Sequence, residues 1–304
     1  MQETPAVQAA LQSAIVSISF GLPRQSRDLK AEAAGVETKN NAARGTVRTA
    51  MFYFKKKSED GKSDIDGLDL LKRFQTRFKA STIMTFAPYP YSGGFYLLPG
   101  ANIGKYRDAV DLFTKEKETV WMKWADDEYP MWRESAPERM GNLFDKGDFP
   151  SLGECSERFT CETTEALLAT GDQWKRIAAL TPDIVATMEE KSNEKIKGAV
   201  AAATASLWVD VMKPIEHIVT TFSKDKYKIH DSMIGNILAI VEMVPALNME
   251  NDPNLAQLAA DAKETLGKIK PEELRKSAEL RSETLNTAKK LMAQFAPLQR
   301  KLNV

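Results

Sequence analysis

The chain has 304 residues, of which 43% are hydrophobic and 28% charged, which is typical of a globular protein with one or two domains and a substantial core. Its 42 basic residues equal its 42 acidic residues, so no overall field attracts nucleic acid or a membrane surface. The charge is nevertheless uneven along the chain. Residues 1–100 hold 14 basic against 9 acidic residues, whereas residues 101–200 hold 14 against 20.

Several classes of protein are disfavoured by what the sequence lacks. No stretch approaches 18 uninterrupted apolar residues, and the N-terminus lacks a basic start followed by an apolar run, so we expect neither a membrane span nor a signal peptide. Cys155 and Cys161, with only His217 and His230 to join them, fit no familiar zinc spacing. The sequence therefore predicts a cytoplasmic protein with reduced thiols, no metal and no cofactor.

The first elements predicted along the chain are short. Residues 14–20 alternate with β-branched side chains, which predicts a strand. The run from Lys55 to Asp64 is polar and contains glycine, which predicts an exposed loop. Asp64 is then the predicted N-cap of a helix that continues to Phe78, and residues 81–86 are predicted to form a second short strand.

Residues 85–100 stand apart from the rest of the chain, because aromatics, prolines and a Gly-Gly pair crowd together there. Three prolines in this segment rule out a helix, and Gly93-Gly94 between two aromatic runs predicts a tight hairpin. Composition and periodicity change together just after it, so the clearest seam is expected near Pro99-Gly100.

Helical periodicity dominates after that seam. A helix of about six turns is predicted from Asn102, with an interruption at Tyr129-Pro130. The longest element is predicted to begin at Thr181-Pro182 and to keep one apolar face for about 40 residues. Shorter helices are predicted to follow, two of them beginning at Pro253 and Pro271.

The predicted fold is therefore α+β and predominantly helical, with a small N-terminal β-containing region followed by a long antiparallel helical bundle. We divide it into a basic and aromatic α+β region at 1–100, helices and an irregular connector at 101–180, and the antiparallel bundle at 181–304.

No motif in the sequence indicates catalysis. Phosphate-binding glycine loops, the Gly-x-Ser-x-Gly elbow and the His-Glu-x-x-His zinc helix are all absent, so no catalytic residue is predicted. Asp126-Asp127-Glu128 is a dense carboxylate cluster, but successive residues on a helix diverge by about 100°, which favours a solvated helix end over a metal site. Trp121, Trp124 and Trp132 have helical spacing, which favours core positions over a stacking platform.

The remaining signal is the coincidence of cations and aromatics in the first hundred residues. Single-stranded nucleic acid needs a cationic track for its phosphates and aromatic faces for its bases. A charged solvent face around a small aromatic core explains the same residues, and the sequence leaves both interpretations open. The candidate nucleic-acid-binding residues are Arg24, Arg27, Lys55, Lys56, Lys57, Arg73, Arg77, Tyr89 and Tyr91.

The two interpretations differ in the exposure that they predict for the aromatic rings. On the binding hypothesis, Tyr89 and Tyr91 point outward so that their hydroxyl groups stay hydrated. Phe86 and Phe95 flank the hairpin turn beside apolar neighbours and are expected to point inward.

The segment 85–99 resembles a protein family common in tailed-bacteriophage genomes. There the corresponding segment reads Thr-Leu-Pro-Trp, a glycine-containing turn, and Leu-Leu-Pro, and later blocks at 141–152, Arg158-Phe159 and 247–253 resemble the same family. This chain departs from the pattern by lacking the tryptophan after the proline. It also lacks a Val-Pro and Asp-Phe-Arg block, where it has residues 167–174 instead.

The resemblance implies a phage origin and leaves the mechanism open. In some genomes such proteins are encoded near genes for AAA-type ATPases and von Willebrand-type domains, which implies a partner-adaptor role as an alternative. The first hypothesis is a non-enzymatic accessory protein of DNA metabolism that binds single-stranded DNA. The second is a helical, homo-oligomeric adaptor that binds a protein such as an AAA-type ATPase or a host factor.

Overall fold

The structure is a computed structural model of the chain. It describes residues 13–23, 26–28, 35, 38–39, 50–52, 54–58, 60, 64–141, 144–168, 174–177, 179–224 and 227–302. The strands are β1 (Ser13–Phe20), β2 (Ser26–Asp28), β3 (Ala50–Phe52), β4 (Lys55–Lys57), β5 (Asp64–Asp66), β6 (Tyr89–Ser92), β7 (Phe95–Pro99) and β8 (Cys161–Leu167). The helices are α1 (Asp69–Ser81), α2 (Ile83–Phe86), α3 (Ile103–Lys123), α4 (Tyr129–Glu134), α5 (Ala136–Met140), α6 (Leu152–Arg158), α7 (Pro182–Phe222), α8 (Ser232–Leu247), α9 (Pro253–Thr265), α10 (Pro271–Lys276) and α11 (Ala278–Leu302).

This set of elements confirms the predicted class, α+β and predominantly helical. One sheet has four antiparallel strands in the order β6-β7-β1-β8, and the pairs β2-β3 and β4-β5 form two further small sheets. Strand β8 lies at an edge of the larger sheet.

The chain divides into two compact units, and neither is one continuous stretch. The bundle unit comprises Met1–Val16, Phe86–Gly104 and Glu165–Val304. The aromatic unit comprises Ser17–Thr85 and Lys105–Thr164. The seam predicted near residue 100 therefore falls inside the bundle unit rather than between the two units.

The bundle unit is built around α7, a single helix of 41 residues as predicted. It packs against α8 and α11, and α9 packs against α8 and α11 in turn. Its inward positions recur at intervals of three and four, as in Ile196, Val200, Ala203 and Leu207, all at most 2% exposed. The apolar stripe seen in the sequence is thus the core of an antiparallel bundle.

Proline is the first residue of three helices of this unit and also lies inside three helices, as Pro214, Pro245 and Pro297. Pro182, Pro253 and Pro271 are each the first residue of a helix, where the missing N–H group costs no intrahelical hydrogen bond. Pro214 lies within α7, which nevertheless continues to Phe222 without a break.

The predicted hairpin is present in the bundle unit as β6 and β7. Gly93 and Gly94 form its turn with φ of +59° and +81°, a conformation that glycine adopts without steric cost. The adjacent prediction is wrong. Residues Ile83–Phe86, expected to be a strand, form the short helix α2 directly after Thr82, whose hydroxyl donates to the Phe78 carbonyl oxygen over 2.7 Å.

The aromatic unit has a core made largely of aromatic rings. Phe74, Phe78 and Phe113 pack together with ring centroids 5.2 to 6.2 Å apart. Trp124 and Trp132 are 0% and 3% exposed, which confirms the prediction that they are core residues, whereas Trp121 is only half-buried against the same core.

The interruption predicted at Tyr129-Pro130 is wrong, because the helix widens instead of stopping. Between α3 and α4 the chain forms one π-helical turn at Trp124–Glu128, in which the Tyr129 N–H group donates to the Trp124 carbonyl oxygen five residues earlier. Proline normally breaks a helix because it cannot donate and because its ring clashes with the carbonyl group four residues earlier. The wider turn before Pro130 lets the helical path continue past it.

The loop predicted from Lys55 to Asp64 is also corrected by the structure. Lys55–Lys57 form β4, which pairs antiparallel with β5 so that Lys55 faces Asp66 and Lys57 faces Asp64. Asp64 is therefore a strand residue and not a helix cap. Lys55 and Asp66, which face each other across the pair, carry opposite charges, and such a cross-strand pair favours the pairing of two short strands.

Candidate nucleic-acid interface

The β4-β5 pair and the helix after it gather several of the predicted cations in the aromatic unit. Lys55 and Lys72 both approach the carboxylate of Asp66, Lys55 at 4.0 Å and Lys72 by a hydrogen-bonded ion pair. Asp66 also accepts from the Leu68 N–H group over 3.0 Å. Burial opposes ionisation of Asp66, but the hydrogen bonds from Lys72 and Leu68 and the two lysine charges outweigh it and lower its pKa.

Arg73 and Arg77 extend this basic surface along α1. They lie one helical turn apart, and their side chains are 79% and 53% exposed. The Nε atom of Arg73 is 2.6 Å from an Asp69 carboxylate oxygen, and an Nη atom of Arg77 pairs with Glu116. Arg77 also lies 5.4 Å from the centroid of the Phe113 ring.

A shallow cavity of about 290 Å³ lies between α1 and α3 beside these arginines. It is lined by Leu70, Arg73, Phe74, Arg77 and Val120. We call it the arginine cavity. Its floor is apolar and two guanidinium groups border it. It therefore complements the two parts of a nucleotide, because the apolar floor suits the face of a base and the positive charges suit a phosphate.

The two candidate tyrosines belong to the bundle unit, and Tyr89 is not available for stacking. Tyr89 is 4% exposed and belongs to the bundle core, so the prediction that it points outward is wrong. Tyr91 is half-buried, and the ammonium group of Lys195 lies 5.0 Å from its ring centroid. Phe86 and Phe95, expected to be inward, are also only half-buried.

Tyr89 is held inside because β6 packs on α7, where its hydroxyl group faces Asp210. The two groups do not meet at full hydrogen-bonding distance and angle, yet each perturbs the other. Burial, and then the negative charge of Asp210, raises the pKa of the Tyr89 hydroxyl group. A neutral, buried phenol in this position has a structural role.

The remaining candidates lie partly outside the described residues. Arg24 lies outside them altogether. Arg27 lies in β2, and Lys56 and Lys57 lie in β4, but only their backbone positions are described. The structure thus places the three lysines of β4 in the same unit as Arg73 and Arg77.

Sequence reasoning missed the apolar part of this site. Leu70, Phe74 and Val120 carry no chemical signal of their own, and Val120 comes from a helix that begins more than 20 residues after α1 ends. Phe74 is a buried residue of α1. Only the packing of α1 against α3 makes it the floor of a cavity.

Other candidate chemistry is sparse in the part of the chain that the structure describes. No group of three or more histidine, cysteine, aspartate or glutamate residues there could hold a metal ion. Asp126 and Asp127 are exposed in the π turn, and His217 is exposed on α7. Cys155 and Cys161 are free, and burial raises the pKa of each thiol to about 11.

Comparison of the chain with protein-family models, with curated proteins and with solved structures gives no match. Among the described helices, none has both the length and the apolar character needed to cross a membrane.

Proposed function

We propose that this is a non-enzymatic, phage-encoded accessory protein of DNA metabolism, acting in the host cytoplasm, that binds single-stranded DNA through the aromatic unit. The observation that carries the proposal is the arginine cavity, where Arg73 and Arg77 border an apolar floor. Between residues 55 and 79, eight basic residues outnumber five acidic ones, which supports attraction of a polyanion. The phage origin rests on the resemblance alone.

The test is fluorescence anisotropy with a labelled single-stranded oligonucleotide at about 50 mM salt and above. We expect the affinity to fall as salt rises, with a slope of about −0.7 for each phosphate contacted. Arg73→Glu combined with Arg77→Glu should weaken binding and reduce that slope by about 1.4. Replacing Lys55, Lys56 and Lys57 together by Glu should weaken binding as well.

A matched control makes the same change of charge in the bundle unit. Lys268→Glu combined with Lys270→Glu reverses two exposed cations that are likewise paired with neighbouring carboxylates. This variant should bind the oligonucleotide almost as the unmodified protein does. Equal weakening by both double variants would show a nonspecific charge effect, and no binding at 50 mM salt would contradict the proposal.

A second candidate function, a homo-oligomeric adaptor for a protein such as an AAA-type ATPase or a host factor, is favoured by the start of α7. No residue from 182 to 195 is buried, and the apolar side chains of Ile184 and Met188 in this part of α7 are 44% and 36% exposed. Trp174 donates from its indole Nε1 to the Ser192 hydroxyl oxygen over 2.9 Å, so a short segment braces this part of the helix. Exposed apolar residues on a braced helix are typical of a protein-binding surface.

Light scattering tests the adaptor function. We expect a mass above that of the monomer, and Ile184→Glu combined with Met188→Glu should lower it. Ala186→Glu combined with Lys197→Glu, two exposed positions on the opposite face of α7, should not. A monomer at all concentrations that also captures no protein from infected cells would contradict this second function.

A further inference from the structure

The arginine cavity has a shape and a lining that favour one class of ligand. We propose that it seats a single unstacked base of a DNA strand, with the adjoining phosphate held by the guanidinium groups of Arg73 and Arg77. This inference rests on the proposed function and specifies how its site acts.

The two arginines keep hydrogen-bonding capacity after their local contacts are counted. Arg73 uses its Nε atom towards Asp69, and Arg77 uses one Nη atom towards Glu116. Among the described residues neither guanidinium group has a further acceptor. A guanidinium group carries five N–H donors in a planar fork, so N–H groups remain on both side chains for phosphate oxygens.

The local carboxylates also restrain these two side chains at the border of the cavity. Glu116 on α3 and the Phe113 ring beside it hold the Arg77 guanidinium group from the α3 side. Asp69, four residues before Arg73 on α1, holds the Arg73 side chain along the helix. Restricting long side chains before binding reduces the entropy that is lost when the ligand arrives.

The floor of the cavity suits a base and not a second phosphate. Leu70, Phe74 and Val120 present only apolar atoms, whereas every base has a π face that packs on apolar or planar groups. The volume of about 290 Å³ is at the lower end of the range for ligand cavities, which favours one base over a stack of bases.

The same geometry selects single strands. A base in a duplex is stacked on both faces and paired at its edge, so it reaches a recess between two helices only after extrusion from the stack. A base in a single strand enters at much lower cost. The cavity is therefore expected to read the unpaired state of the base and not its identity, because apolar packing accepts all four bases.

The experiment compares two labelled strands of equal length on the full chain at about 50 mM salt, one with all its bases and one abasic. The phosphate number is the same, so the salt slopes should agree, while the abasic strand should bind at least about fivefold more weakly. A duplex of the same length should also bind more weakly than the single strand.

One variant and its neighbour locate the effect. Val120→Phe fills the cavity without changing charge, and it should lower the affinity for the complete strand to that for the abasic strand. Thr119→Phe places the same ring on the next, exposed position of α3 and should leave the difference between the strands intact. If Val120→Phe does not fold, the comparison of strands on the unmodified protein decides alone.

The outcomes separate this inference from the proposed function. Equal binding of the complete and abasic strands overturns the seated base while leaving DNA binding in place. No binding of either strand overturns the proposed function and this inference together.

Discussion

Gly67 is the residue on which two tryptophans of the aromatic unit converge. The indole N–H group of Trp124 donates to the Gly67 carbonyl oxygen over 2.7 Å. A Cβ atom at residue 67 would lie 2.6 Å from Cε2 of Trp132, which is 3% exposed. Glycine is therefore required at this position for packing.

Replacing Gly67 by Ala should destabilise the protein. The buried Trp132 ring must move to admit the methyl group, and overpacking of this kind costs roughly 1–3 kcal/mol. Urea denaturation monitored by tryptophan fluorescence measures the loss. Gly198→Ala is the control, since nothing lies within 4 Å of its added methyl group and alanine favours a helix interior by about 1 kcal/mol. A Gly67→Ala variant as stable as the unmodified protein would contradict the packing role.

Asp210 is a second residue whose environment predicts a measurable effect. The residue is exposed on α7, but partial desolvation of its carboxyl group raises the pKa, although the Lys213 charge and the Tyr89 hydroxyl group act in the opposite direction. A raised pKa means that the folded state holds its proton more tightly than the unfolded state. This carboxyl group therefore lowers stability as pH rises from its unfolded pKa of 3.8 through its higher folded pKa.

Asp210→Asn should remove that dependence. We expect the stability of the variant relative to the unmodified protein to rise with pH across this window and then to remain constant. Urea denaturation at a series of pH values from about 3.5 to 7 measures it. Glu216→Gln, which removes another carboxyl group from α7, is the control. If the stability of Asp210→Asn relative to the unmodified protein fell as pH rises, the raised pKa of Asp210 would be contradicted.

Among the elements, the β6-β7 hairpin offers the sharpest test of turn chemistry. Gly93 and Gly94 both have positive φ, and no atom within 4 Å would obstruct a side chain on either. Asn-Gly is the preferred pair for such a turn, so Gly93→Asn should leave stability unchanged or raise it slightly. Gly94→Ala places an alanine at φ +81° and should cost about 1–2 kcal/mol. Thermal unfolding compares the two, and equal losses would argue against the turn conformation.

Local signals in the sequence were sufficient for elements whose chemistry is local. Pro182 at the start of α7 and Gly93-Gly94 in the hairpin are correct predictions for that reason. The π turn before Pro130 was not predictable, because it depends on Trp124 being held in a packed core. Strand β4 was missed because a run of lysines has low strand propensity until Asp64 and Asp66 pair with it.

The candidate site was predictable only in its charges. Arg73 and Arg77 stand out in the sequence, and the structure brings both to one cavity. Tyr89 was misassigned because a tyrosine in a turn-rich segment gives no sign that a 41-residue helix, far along the chain, will cover it. Burial of a side chain by a distant element is not encoded near that side chain.

At the scale of the whole molecule, each unit has a hydrophobic core of its own. One buried cluster lies in the bundle unit and includes the fully buried Leu258. The other lies in the aromatic unit and includes the fully buried Leu71. We therefore expect two unfolding transitions in calorimetry. Leu71→Ala should lower the unfolding free energy of the aromatic unit by about 2–5 kcal/mol and shift only its transition to lower temperature. Leu258→Ala should do the same for the bundle unit. A single transition that both variants shift equally would contradict two separate cores.

The discontinuous make-up of the two units also has a consequence for synthesis on the ribosome. The aromatic unit needs nothing beyond Thr164, so its whole sequence has been synthesised before α7 begins to be translated. The β6-β7 hairpin, by contrast, is made early, together with its strand partner β1, and must wait for α7 before its helical partner exists. Vectorial synthesis thus leaves Tyr89 and Leu97 without their helical cover until more than 100 further residues have been added, and during that interval a chaperone can protect this apolar surface from aggregation.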